Sequence, residues 1–234
     1  MINGILLINK ERDITSYDVI RKLKRVLPNG QKIGHGGTLD PFATGLLIVL
    51  LGKGTKLMNT IHSLKKEYIV RAEFGYSTDT QDITGKKDKM CEDLEKVSVE
   101  EIETKIKEKF LGKILQTPPM FSAKKIKGKK AYELARKGEE VKIEPKKVEI
   151  YSFDLVNYNW PYSTFSISCS TGTYVRTLIH DLGEEIGTYG TAIELERTKI
   201  GGFNLKDAFD SEDIVDDNID KIIGNVINLD NLEL

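Results

Sequence analysis

Cysteine is scarce in this chain. Two occur in 234 residues, Cys91 and Cys169, far apart and outside any CxxC pair, which excludes a disulfide-stapled scaffold and gives no structural zinc signature. Long apolar runs are missing as well. The longest, Leu46–Leu51, is far short of the ~20 residues a membrane-spanning helix needs. The opening MINGILLINKER has neither a basic n-region nor a long apolar h-region, so no secretory signal is expected. A cytoplasmic, monomeric protein without membrane contact is the expectation. Histidine is limited to His35, His62 and His180, with no ligand spacing and no HExxH. The dinucleotide fingerprint fails because Leu39 stands where Gly34-x-Gly36 would need its third glycine, and a Walker loop fails at Leu47 and Gly54. No serine-nucleophile elbow occurs. Neither a metal nor a cofactor is called for.

Net charge is also close to absent, at −1, but it is unevenly spread. From Asn204 to Leu234 nine acids face two lysines, leaving residues 1–203 with 33 basic and 27 acidic groups. A mildly basic body with an acidic tail suits a polyanionic partner and equally suits an ordinary solvated surface.

What is present is an interspersed pattern of strands and helices, without repeats or a strict βαβ rhythm. GILLINK (4–10) reads as a buried strand, and Thr15 with Asp18 as a capping box opening the helix DVIRKLKRVL. The segment 34–45, with four glycines and a proline, is expected to be loop. LLIVLLG then reads as a fully buried strand, Gly54-Thr55 as the start of a short helix, and KEYIVRAEFGYST as a strand before the polar loop DTQDITGKKDKM. Ser98 with Glu101 marks a second capping box, on a helix stopped by Gly112 at C′. A short helix ended by Gly138 follows. KKVEIYSFDLVNY and TFSISCSTGTY form two strands turned at Trp160-Pro161, VRTLIHDLGEEIG a helix, and AIELERTKI a strand. The class is α+β with a mixed sheet. Residues 1–203 are expected to form one domain, with 204–234 a short, acidic, helical tail.

One acid stands out. Asp40 lies in GHGGTLDPFATGLL, between glycines and ahead of an apolar strand. Taken alone, Asp-Pro is an ordinary turn opener. Pro41 also holds Asp40 extended, the glycines remove side chains around it, and the following strand anchors the loop, as rigid scaffolds present reactive groups. Downstream, Arg176 falls at the start of a helix, where the macrodipole disfavours a cation unless an anion is near. Paired with Asp40 it would keep that acid ionised and oriented; the alternative is a plain surface arginine.

GHGGTLDPFATGLL, KEYIV, STDTQDITG, PPMFSAKKIKGKKAYELAR and STGTYVRTLIHDLG occur in this order, and together they resemble the TruB/dyskerin family of tRNA pseudouridine synthases over roughly residues 4–203. The resemblance implies the pseudouridine synthase fold, a mixed and largely antiparallel central sheet flanked by helices and loops. It implies isomerisation of uridine 55 in the tRNA T loop on a flipped-out base, with no cofactor. The glycines would then clear room for the flipped nucleotide.

The same resemblance makes Asp40 the nucleophile and Tyr68 the ring that stacks on uracil, with a hydroxyl placed to take up the carbon-5 proton. It makes Arg176 the partner of Asp40 and Tyr174 a neighbour of the substrate. His35 would enter the T loop, Leu195 line the uracil pocket, and Asp82 act as a polar partner of the site. Lys124, Lys125, Lys127, Lys129 and Lys130 fall in a segment that closes on RNA in the family, where lysines neutralise phosphates. Gly36, Glu11 and Glu196 depart from the residues usual there, and the acidic tail is too short for the RNA-binding domain that bacterial relatives often append. A tRNA-folding chaperone and a nucleoside hydrolase are the rival readings. The hydrolase lacks the second carboxylate that glycosidases set across the scissile bond.

Overall fold

The computed structural model describes residues 1–122, 125–126, 129–130 and 143–232. In chain order its elements are β1 (Gly4–Lys10), α1 (Ser16–Val26), β2 (Ile33–His35), β3 (Thr44–Leu51), α2 (Met58–Ser63), β4 (Lys66–Phe74), β5 (Tyr76–Thr78), β6 (Lys87–Met90), α3 (Val99–Lys109) and β7 (Gly112–Gln116). They continue with β8 (Lys125–Ile126), β9 (Lys129–Lys130), β10 (Lys146–Asn159), β11 (Tyr162–Cys169), α4 (Val175–Glu185), β12 (Gly190–Ile200), β13 (Phe203–Asn204), β14 (Phe209–Asp210) and α5 (Ile219–Gly224). The class is α+β. Its strands pair mostly antiparallel, with parallel exceptions at β1–β14 and β3–β12. No helix among the described residues is long and apolar enough to cross a membrane.

The chain divides into two compact units, one of residues Met1–Tyr68 and Leu195–Leu234, the other of Ile69–Glu194. In the first, strands run in the order β14-β1-β3-β12. β1 from Gly4 to Ile8 and β3 after Thr44 are apolar because they lie inside: every one of these residues is buried. Ile5, Leu7, Leu46, Ile48, Leu50, Ile61 and Ile200 form the core, and Leu205, Ala208, Ile227 and Leu229 of the C-terminal segment pack on it. That segment holds one six-residue helix, α5, short 3-10 turns, and β14, which pairs with β1 through Ile8 and Phe209. α1 turns Val19, Ile20, Leu23 and Val26 inward, the spacing of one helical face, and its capping box forms as the sequence suggests.

In the second unit the order β4-β11-β10-β7 continues from the N-terminal part of β12. An aromatic ladder fills it: Phe74 stacks on Trp160 at 5.3 Å, and Phe165, Phe153 and Phe110 follow edge to face. The hairpin β10–β11 turns at Trp160-Pro161, as expected.

Three local expectations change. The segment 34–45, expected as loop, is strand at both ends: Gly34 and His35 join Ile33 in β2 against β3, pairing His35 with Val49, and Thr44 and Gly45 open β3, because unpaired backbone groups there would be partly shut from water. The polar stretch after β5 contains β6, an exposed strand paired with β5. Gly112 is not the C′ residue of α3. The helix caps at Phe110, and Gly112 takes a φ of 79° two residues later to open β7. The short helix expected before Gly138 lies outside the described residues.

Candidate functional site

The Asp40 loop is built from its carbonyls outward. Asp40 itself is half-buried. Gly37 O accepts from Arg197 Nη2 at 3.1 Å and Thr38 O from Arg197 Nη1 at 3.5 Å. Leu39 O accepts from Ser16 Oγ at 3.3 Å, and Leu39 N donates back to that hydroxyl at 2.9 Å. Asp40 O accepts from Ala43 N at 3.1 Å. Pro41 O takes both Asp13 N at 2.8 Å and Lys10 Nζ at 3.3 Å. Every carbonyl from 37 to 41 is therefore engaged, which leaves the backbone beneath the acid little freedom.

Two of those donors are buried cations. Lys10 is fully buried and also donates to Glu11 O and Ile14 O. Burial pushes its pKa down to about 8, against the opposing pull of Glu11, Asp40 and Asp13. Arg197, 2% exposed, donates its Nε to Leu46 O at 2.7 Å. Burial first, then the Arg197 charge, hold the His35 imidazole below its usual pKa, and His62 shifts the same way through burial, Lys66 and Arg197.

The glycines do not serve as expected. A Cβ on Gly36 would lie 2.3 Å from Ile61 Cγ2, and one on Gly34 2.8 Å from Met58 Cε. At Gly45, with φ of 99°, it would meet Arg197 O at 2.5 Å. Their missing side chains admit protein, not a nucleotide: α2 and β12 pack against the loop where those groups would stand. Gly37, at φ of 127°, is required by its backbone angle.

Tyr68, at the third position of β4, and Leu195, on β12, are both buried, at 9% and 7% exposure.

The second unit carries the other expected residues. Tyr174 is the N-cap of α4 and Arg176 follows in its first turn. Arg176 pairs with Asp82: Nη1 lies 3.0 Å from Oδ2, with the two side chains 4% and 3% exposed. Nη1 also donates to Thr80 O at 3.1 Å, and Nη2 to Phe121 O. Asp82 Oδ1 is taken up by Thr80 Oγ1, Thr84 N and Thr84 Oγ1 at 2.9, 2.9 and 2.5 Å. This answers the helix-end problem: a carboxylate meets a cation that the macrodipole opposes. The Arg176 guanidinium carbon lies 5.9 Å from the Tyr174 ring centre. Gln116, 2% exposed, pairs its amide with the Tyr174 backbone in both directions, at 3.0 and 2.8 Å, and so fixes the start of α4.

Of the lysine cluster, Lys124 and Lys127 lie outside the described residues. Lys125 pairs with Lys130 across the two-residue strands β8 and β9. Among the described residues the donors grouped closely enough for a metal are His180, Asp181 and Glu184 on α4, but Glu184 is already bridged by Lys89 at 2.8 Å. Lys10, Ser16, Arg197 and Gln116 were not singled out from sequence. A signal existed for Arg197, since alternation along β12 puts it on the buried face with Ile193 and Leu195.

Comparison with known proteins adds the family. The model of the TruB family pseudouridylate synthase N-terminal domain matches residues 24–175, and that of the tRNA pseudouridylate synthase B C-terminal domain matches 176–227. A protein of Clostridium tetani named tRNA pseudouridine synthase B is 44% identical over 95% of this chain and 76% of its own. A Fusobacterium nucleatum protein of the same name is 45% identical over 88% of this chain and 70% of its own. Among solved structures, a chain of a Cbf5-Nop10-Gar1 complex superimposes with a TM-score of 0.72 at 26% identity. It covers 95% of this chain, which spans 58% of that one.

Proposed function

This chain belongs to the TruB family of pseudouridylate synthases, and from that premise we propose that it converts uridine to pseudouridine in tRNA, at position 55 of the T loop. Asp40 is the nucleophile: its carboxylate forms a transient bond to the uridine that breaks again when the product C–C bond is made. The N1–C1′ bond of the extruded uridine breaks, the base turns, and C5 joins C1′. The proton lost from C5 is balanced by one gained at N1, so neither electrons nor an outside group are consumed. Tyr68 stacks on the base and its hydroxyl relays the C5 proton, giving up its own as it takes the new one; Arg176 keeps the acid ionised, with Asp82 holding Arg176 in turn. Tyr174, Leu195 and His35 line the nucleotide's surroundings, and the lysines of 124–130 meet phosphates. Residues 1–203 carry the chemistry.

The observation that carries this reading is the Asp40 backbone. Five successive carbonyls held around one partly exposed carboxylate are what a preorganised nucleophile needs and more than a turn requires. The test is incubation of the protein with unmodified tRNA and with a T-arm hairpin, reading pseudouridine by mass spectrometry after chemical derivatisation. Native protein is expected to give one product at position 55, and Asp40→Asn none, with RNA affinity kept within a few-fold. Product from the Asn variant removes Asp40 from its role; free uracil points to the hydrolase; bound tRNA without product points to the folding chaperone.

A further inference from the structure

Arg197 belongs to none of the motifs that carry the resemblance, yet it is among the largest fully buried side chains of the protein. Its three donor nitrogens meet only carbonyls, those of Gly37, Thr38 and Leu46. None of the ion pairs among the described residues includes it. Its backbone is fixed as firmly, pairing in parallel register with Gly45, where any side chain would strike it.

Enclosing a guanidinium without a carboxylate is costly, and an apolar side chain of like volume would stabilise such a place at least as well. The charge is therefore not there to fill space. Its effect reaches the groups around the loop: Lys10, His35 and His62 all bind a proton less readily because of it. What it holds are the carbonyls two and three residues before Asp40, on the side opposite the Lys10 contact at Pro41.

We propose that Arg197 is a positioning residue for the reaction: its fork clamps the Gly37 and Thr38 carbonyls so that Asp40 is aimed, and its field favours negative charge on that acid. The inference rests on Asp40 being the nucleophile. A lysine would keep the charge but not the planar fork, and a methionine would keep neither.

The experiment uses full-length Arg197→Lys and Arg197→Met with the T-arm hairpin. For the Met variant we expect kcat to fall about 100-fold, the scale of an ångström-sized misplacement, while KM stays within twofold; Lys gives an intermediate kcat. Two readouts do not need activity. By NMR, His35 and His62 titrate at higher pH in the Met variant and as in native protein in the Lys variant. Amide exchange at Leu39 and Ala43 quickens in both. Native kcat in a folded Met variant, a loss confined to KM, or histidine titrations unmoved by Met each overturn the proposal. Should the Met variant fail to fold, full kcat with native exchange in the Lys variant overturns it. Should native protein make no pseudouridine, the proposed function fails, and the exchange and titration data still decide whether Arg197 holds the loop.

Discussion

The two units solve the same problem, a buried cation, in opposite ways. Around Asp40, Lys10 and Arg197 are solvated by carbonyl dipoles, six bonds in all to Glu11, Ile14, Pro41, Leu46, Thr38 and Gly37. In the second unit Arg176 meets a carboxylate, Asp82, whose other oxygen is occupied by Thr80 and Thr84. Dipoles offset the cost of burial without cancelling charge, so the Arg197 charge is still felt by His35 and His62, both held below the usual imidazole pKa first by burial and then in part by it. An ion pair cancels most of its own field and gives geometry instead. The Asp40 loop is thus held by cations bonded to its carbonyls, and the start of α4 by a directional ion pair.

That contrast predicts the largest effect at Asp82. Asp82→Ala takes the carboxylate from an enclosed guanidinium and strands the Thr80 and Thr84 donors, a loss of about 3–5 kcal/mol in unfolding free energy, measurable by urea denaturation. Asp82→Asn should lose less, since an amide still accepts from both threonines. An Asp82→Ala variant as stable as native protein would mean that the pair does not carry the burial of Arg176.

Lys10 should behave differently. Replacing it with Met removes a buried charge along with its bonds, so stability at pH 7 is expected to change little while kcat falls as the Pro41 anchor is lost. The pH dependence has a definite sign. Burial lowers the folded pKa from 10.5 to about 8, so between those values the unfolded chain binds more protons and stability rises with pH. The native protein should gain at most roughly 3 kcal/mol on Lys10→Met across that window, and the penalty is complete once pH falls below the folded value. Denaturation of both proteins at pH 7.5 and 10 measures it. A gap that stays constant would place the Lys10 ammonium in contact with water and erase the distinction between the units.

Much of the fold was legible because its signals are local. The apolar β1 and β3, the Thr15 cap, the turn at Trp160-Pro161 and the helix from Val175 each follow from a few adjacent residues. The site was legible only in part. Glycine spacing announces that side chains are missing but not what occupies their place, and so it suggested space for a nucleotide where Ile61, Met58 and Arg197 stand. Lys10 hides in an apolar strand, and its partner Pro41 is 31 residues away. Arg176 and Asp82 are 94 residues apart, and Gln116 and Tyr174 58. Periodicity does not encode such pairings. Asp82 came from the resemblance alone, and Arg197, although in phase with Ile193 and Leu195, is masked by Glu194, Glu196 and Lys199, which make the whole stretch read as charged surface.

The helix caps bring the same contrast to its smallest scale. Thr15 and Ser98 read alike in the sequence, each three residues before an acid, but the structure separates them. Thr15 accepts from Asp18 N at 3.1 Å and its own N–H donates to Asp18 Oδ2 at 2.8 Å, whereas on α3 Ser98 accepts from Glu101 N at 3.1 Å without the return bond. Thr15→Ala should cost about 1 kcal/mol and Ser98→Ala somewhat less. The bonds from Thr15 hold the Asp18 carboxyl below its usual pKa. Its contribution is therefore present above the unfolded value and is lost as pH falls through the folded one. Asp18 is only partly buried, so the swing is modest. Thermal unfolding at pH 6 and pH 3 should show the Thr15→Ala deficit shrinking in acid while the Ser98→Ala deficit holds, because a hydroxyl facing a backbone amide has nothing to titrate. Deficits that move together would show that the two caps are equivalent, and that the reciprocal bond at Asp18 adds nothing to α1.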